Sequence, residues 1–199
     1  MSHRHPDLSR RQTLCTLAAL CTTAAPTMNA QAAPSTTTTT TTAAVPAEIA
    51  ADLKQAQLLG RAPLRFFGLL VYEARLWTPP AFEALRYDQL PFALELEYAR
   101  KLEGASIAER SIAEMRRVGE FSEGQSKTWL ALMNQAFPNV VAQDRLTGGH
   151  DGAGGVRFYF NGKQTVATND KLFARLFFGI WLSPKTAAPG LRNALIGQA

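Results

Sequence analysis

Thiols and imidazoles are scarce in this 199-residue sequence, which has two cysteines, Cys15 and Cys21, and three histidines, His3, His5 and His150. All but His150 fall within the first 32 residues, a stretch built like a cleavable leader. Arg4, Arg10 and Arg11 supply its positive charge, residues 14–25 an apolar run, and Ala30-Gln31-Ala32 the small side chains that suit signal peptidase. Cleavage near Ala32 predicts a mature chain with no thiol and one imidazole. That excludes disulfide staples, a cysteine nucleophile and a Cys/His zinc cluster, and leaves a single histidine for any Ser-His-Asp arrangement. No metal and no cofactor are expected.

Long apolar runs are lacking as well. The leader's run is too short to span a bilayer, so the mature protein is expected to have no transmembrane span and to be periplasmic or secreted. Ser9-Arg10-Arg11 followed by Leu14 resembles a twin-arginine export signal, with Thr13 where Phe is usual; the general secretory route is the alternative. A lipid anchor on Cys21 is disfavoured by the bulk of Leu20 before it. A clustered basic tract is also missing. Losing Arg4, Arg10, Arg11 and Asp7 leaves 18 basic against 15 acidic residues, a net charge of +3, and such a mild excess does not imply nucleic acid.

The polar, low-complexity stretch 33–47, with seven consecutive threonines at 36–42, cannot bury anything and reads as a linker. Residues 48–199 suffice for one domain with its own core. Residues 48–57 read as a short helix and 57–59 as an opening strand ended by Gly60. Residues 64–77, LRFFGLLVYEARLW, are apolar on both alternating faces and read as one strand covered on both sides, stopped by Pro79-Pro80. In 92–98, Phe92, Leu94, Leu96 and Tyr98 alternate with Glu95 and Glu97, which predicts a strand with the carboxylates outward.

Ser106 and Glu109 have the spacing of a capping box opening a helix with Ile107, Ile112 and Met115 on its apolar stripe. A second helix is predicted over about 126–136, carrying Trp129, Leu132 and Met133 and stopping before Pro138. Strands follow at 140–146, 156–160 and 163–168, the last two joined by an Asn161-Gly162 hairpin turn. Asp170 caps an apolar helix over 172–182, and a short helix starts at Pro189. This pattern gives an α+β fold with helices packed on one face of an antiparallel sheet.

The glycine-rich segment TGGHDGAGG lacks the Gly-Lys-Ser/Thr ending of a phosphate loop and reads as a mobile hairpin connection with His150 as a solvated loop residue. Asp144, Asp151 and Asp170 are scattered over hairpin ends and a helix cap and do not suggest a metal site. Arg65 lies in an apolar strand and requires an anion. It is expected either to pair with Glu95 or Glu97 on a neighbouring strand, or to clamp a ligand's anionic group at the mouth of an apolar pocket. Tyr72 and Tyr98 are candidate phenolic partners for that ligand, or core aromatics with a polar end. The stripe from Leu172 to Trp181 reads as core or pocket lining.

Five segments together, LRFFGLLVYEARLW, PFALELEYAR, FYFNGK, LFARLFFGIWLSPKT and PGLRNALIG, resemble the bacterial chalcone-isomerase-like proteins over roughly residues 58–197. The resemblance implies an open-faced β-sandwich in which helices cover a curved sheet and leave a ligand cleft. Catalytic members of that superfamily hold a phenolate near a strand Arg and use Thr, Lys, Tyr and Asn. The Arg carries over to Arg65, whereas Phe67, Tyr98, Ile107 and Glu114 stand where Thr, Lys, Tyr and Asn are required. Non-catalytic members bind fatty acids through an Arg and a Tyr. The resemblance therefore implies binding of a small amphipathic or carboxylate ligand; a ring-closing isomerase and a structural or partner-binding envelope protein are the alternatives. Oligomeric state is not readable.

Overall fold

The computed structural model describes residues 44–198, so the expected leader and most of the expected linker lie outside the described residues. Within them runs one six-stranded antiparallel sheet in the order β1-β2-β3-β4-β5-β6. Its strands are β1 Gln57–Phe66, β2 Leu69–Thr78, β3 Pro91–Tyr98, β4 Arg145–Asp151, β5 Val156–Phe160 and β6 Lys163–Thr168. The helices are α1 Ala47–Asp52, α2 Gly104–Val118, α3 Glu123–Ala136, α4 Lys171–Leu182 and α5 Pro189–Leu195. Among the described residues no helix is long and apolar enough to cross a membrane.

The core follows from strand alternation. Tyr72, Ala74 and Leu76 of β2 stand opposite Tyr98, Leu96 and Leu94 of β3, and this row faces the helices. Leu146, Gly148 and His150 of β4 continue it, paired with Leu96, Leu94 and Phe92. Phe173, Leu176, Phe178 and Leu182 of α4 are fully buried against it, so the apolar stripe of α4 provides much of the core. Asp170 caps α4 as the sequence predicts: its Oδ1 accepts from the Leu172 and Phe173 N–H groups, each at 3.0 Å. The Asn161-Gly162 turn is likewise present, with φ of 48° and 83°.

Several expectations are corrected. Residues 64–77 form two strands, not one, because the chain reverses at Phe67-Gly68 (φ 47° and 78°). Gly60 does not end a strand. It lies within β1 beneath α5, where a Cβ would fall 2.2 Å from the Ala194 carbonyl oxygen. The α2 capping box at Ser106 is absent, since the helix begins two residues earlier and Asn139 Oδ1 accepts from the Gly104 N–H at 3.0 Å. A capping box occurs instead at Ser122 and Gln125, opening α3. The predicted strand at 140–146 is displaced: Val140 makes only an isolated bridge to Leu102, and β4 runs through the glycine-rich segment. The true loop is the short stretch after Asp151, where Gly152 and Gly154 have positive φ.

His150 is consequently not a solvated loop residue. It is buried in β4 with its ring against Phe92 and Phe178, and Nδ1 lies 3.0 Å from the Leu90 carbonyl oxygen. Glu95 is not outward in solvent either, being only 2 % exposed. The reason is α1, which crosses the opposite face of the sheet and buries Ile49 and Leu53 on Trp77 and Ala93. Beneath this cover Glu95 accepts from Trp77 Nε1 at 2.8 Å and from Arg75 and Arg145 at 3.3 and 3.1 Å. Arg145 also reaches buried Glu48 of α1 at 3.1 Å. A buried carboxylate of this kind persists because guanidinium and indole donors compensate its lost hydration.

Candidate functional site

The helices do not fill the space above β1–β3. A cavity of about 380 Å³ remains between the sheet and α2, α4 and α5, within the size range of small-molecule sites. Gly148 of β4 forms part of its floor, where Phe178 sits so low that a Cβ would approach its ring to 3.1 Å. Leu94, Leu96, Phe158, Phe177 and Phe178 make most of the lining apolar.

Polar groups gather around Tyr72. Its hydroxyl accepts from Trp181 Nε1 at 3.0 Å, and Tyr98, directly across the strand pair, meets it edge to face with ring centroids 5.8 Å apart. Burial pushes the Tyr72 hydroxyl up to about 12; the Trp181 N–H opposes this, the Glu114 carboxylate adds to it and Arg110 opposes it. Burial, with Tyr72 beside it, raises Tyr98 as well. Both phenols are thus neutral hydrogen-bond donors at physiological pH.

Helix α2 brings the charges. Arg110 and Glu114, one turn apart, are paired at 2.5 Å, and Glu114 also meets Arg117 Nε at 3.3 Å. Glu114 is largely buried while Arg110 is exposed, so two cations screen the carboxylate at the cavity wall. Arg100, just beyond β3, also lines the cavity and among the described residues has no ion-pair partner. The exposed members of the lining, Phe66, Arg100, Ser106, Arg110 and Ala187, mark its mouth.

Of the candidate residues, Tyr72 and Tyr98 are brought together in the cavity. Arg65 is not among its lining residues. It points away on the exposed edge of β1, where its guanidinium donates to the Gly68 carbonyl oxygen at 3.1 Å, and it pairs with neither Glu95 nor Glu97. Those carboxylates take Arg75, and Glu95 also Arg145. The cavity's guanidinium groups belong instead to Arg100 and Arg110. In sequence, Arg110 and Glu114 carry only the i,i+4 spacing of a solvated helix pair, so nothing local distinguishes them from a surface salt bridge. Of the four positions at which the resemblance requires Thr, Lys, Tyr and Asn, Tyr98, Ile107 and Glu114 line the cavity, whereas Phe67 is 90 % exposed at the hairpin tip.

The profile of a family described as chalcone isomerase-like matches residues 37–197. An uncharacterized protein of Haemophilus influenzae is 27 % identical over 151 residues, covering 75 % of this chain and 72 % of that protein. Among solved structures, a fatty-acid binding protein of Arabidopsis thaliana matches with a TM-score of 0.58 at 12 % identity, over 72 % of this chain and 87 % of the other. At that identity the likeness is one of fold.

Proposed function

The chain belongs to the chalcone isomerase-like family, and on that footing we propose that it is an exported protein whose cavity binds a small amphipathic molecule, a fatty or aromatic acid, without transforming it. The observation that carries this reading is the composition of the cavity wall, which is mostly leucine, isoleucine and phenylalanine but includes the phenols of Tyr72 and Tyr98 and the guanidinium groups of Arg100 and Arg110. An acid would set its carboxylate among Tyr72, Tyr98, Arg100 and Arg110, where charge-assisted hydrogen bonds are strongest, and its apolar body against Phe158 and Phe177. The fold shared with a fatty-acid binding protein supports the same class of ligand. A binder rather than a ring-closing isomerase is supported by the side chains at the corresponding positions: Ile107 has no proton to exchange, and Phe67 offers the cavity no hydroxyl.

Export is supported by the arginine-rich, apolar and small-residue order of the first 32 residues. Native mass spectrometry of the protein recovered from its own cells tests both parts of the proposal. The expected result is a chain shortened near Ala32 with a bound species of a few hundred daltons that is lost on denaturation. An intact N-terminus would remove the export reading. A chain free of small molecules, even after incubation with a lipid extract, would remove the binding one. Loss of chalcone absorbance above the buffer rate would replace binding with catalysis.

A further inference from the structure

Two hairpins of the sheet turn on the same backbone with different residues. Between β5 and β6 the turn is Asn161-Gly162, with φ of 48° and 83°; between β1 and β2 it is Phe67-Gly68, with φ of 47° and 78°. Asparagine tolerates the left-handed region, whereas a bulky aromatic residue there is strained. Phe67 does not recover that cost by burial. It is 90 % exposed, its neighbours Phe66 and Leu69 are 60 % and 58 % exposed, and the two phenyl rings lean on one another with centroids 4.5 Å apart. Folding by itself therefore disfavours Phe67 twice, through its backbone and through its contact with water.

The charges nearest this tip are mostly basic. Residues 60–72 contain Arg61 and Arg65 and no carboxylate, and residues 98–102 contain Arg100 and Lys101, with exposed Glu103 just beyond them. The Ala99 N–H donates to the Val71 carbonyl oxygen at 2.9 Å, which lays this second basic stretch alongside the hairpin. All four cations are exposed. The first carboxylate along β2, Glu73, is already engaged by Arg75 at 2.7 Å.

We infer that the β1–β2 hairpin tip, residues 66–69, docks the protein on an anionic lipid bilayer. Phe66, Phe67 and Leu69 enter the boundary between headgroups and acyl chains, and Arg65, Arg100 and Lys101 meet the lipid phosphates. A second copy of the chain fits this surface poorly, because it would bring two cationic collars together. Phe66 and Arg100 also line the cavity, so docking turns the cavity mouth toward the bilayer. The docking itself does not depend on what the cavity holds.

The test is co-sedimentation of the full chain with phosphatidylcholine vesicles, with and without phosphatidylglycerol, beside the same chain carrying Phe67→Asn. The leader is common to both, so their difference reports the hairpin. Asn suits the turn, and the variant is expected to melt at or above the wild-type temperature and to bind dodecanoate as wild type does. Its partitioning onto phosphatidylglycerol vesicles is expected to fall about tenfold, the loss anticipated when one phenyl group no longer leaves water, and wild-type partitioning to weaken with added salt. Tryptophan emission from Phe67→Trp is expected to shift to the blue on vesicle addition, beyond any shift in the wild type. Equal partitioning of wild type and Phe67→Asn, no preference for phosphatidylglycerol, or capture of a protein through Phe67 with no vesicle binding would overturn the inference. No dodecanoate binding by the wild type, with its docking on phosphatidylglycerol vesicles intact, would instead count against the cavity reading alone.

Discussion

Trp181 of α4 donates its indole N–H to the hydroxyl of Tyr72 on β2 at 3.0 Å, tying the helical layer to the sheet at the polar side of the cavity. The bond satisfies the indole and fixes the phenol, and it leaves the phenol's own proton available to whatever occupies the cavity. The same residue pair thus contributes to stability and to the chemistry offered to a ligand.

The phenol's environment sets an alkaline limit on stability. Tyr72 is raised from 10.0 to about 12, first by burial, and Tyr87, whose hydroxyl donates to the Arg175 carbonyl oxygen, is raised to about 12 chiefly by burial as well. Up to about pH 10 the phenols keep their protons folded or unfolded. From there to about pH 12 the unfolded chain ionises first, so stability falls, by up to about 1.4 kcal/mol per pH unit for each such group. Urea unfolding across this range is expected to show that fall, with a shallower slope in Tyr72→Phe. An identical slope in the variant would place Tyr72 outside the buried, neutral role described.

The carboxylate pair on β3 divides by burial. Glu95→Ala leaves the Arg75 and Arg145 guanidinium groups and the Trp77 indole without their shared acceptor beneath α1, and is expected to cost about 3–5 kcal/mol. Glu97, two residues on, has a side chain 38 % exposed, and Glu97→Ala is expected to cost about 1 kcal/mol or less. Denaturant unfolding of the two variants measures the difference.

The cations divide by position. Arg100→Ala combined with Arg110→Ala is expected to weaken dodecanoate binding about tenfold, the scale of one lost charge-assisted hydrogen bond, and to leave dodecanol binding unchanged. Arg65→Ala is expected to alter neither. Calorimetric titration of both ligands distinguishes a carboxylate clamp at the mouth from general electrostatic attraction, which would make all three arginines equivalent.

Those arginines also show where sequence stops being informative. The alternation in β3, the Asn161-Gly162 turn and the Asp170 cap are local, and each is legible because its cause lies within a few residues. Phe67-Gly68 hides inside an apolar run, although that run exceeds the usual strand length and contains a lone glycine, which together are the signal of a turn. The burial of Glu95 and His150 is not legible locally, because the groups that cover them, α1 and Phe178, come from distant parts of the chain. Arg65 stands among apolar neighbours in sequence, yet in the fold it lies off the cavity, while Arg110 reaches the cavity because α2 forms the wall facing Tyr72 and Tyr98. The cavity is a property of packing between layers, lined by residues from both ends of the sequence, such as Leu64 and Leu191, and no local pattern announces it.

The most direct test of the account is titration of dodecanoate into the full chain and into Ile107→Trp, whose indole would occupy the cavity from the α2 side while leaving the surface charges in place. Saturable binding by the wild type and a loss of about tenfold or more in the variant, with its fold retained by circular dichroism, is the predicted result. No binding by the wild type, or equal binding by both, would contradict it.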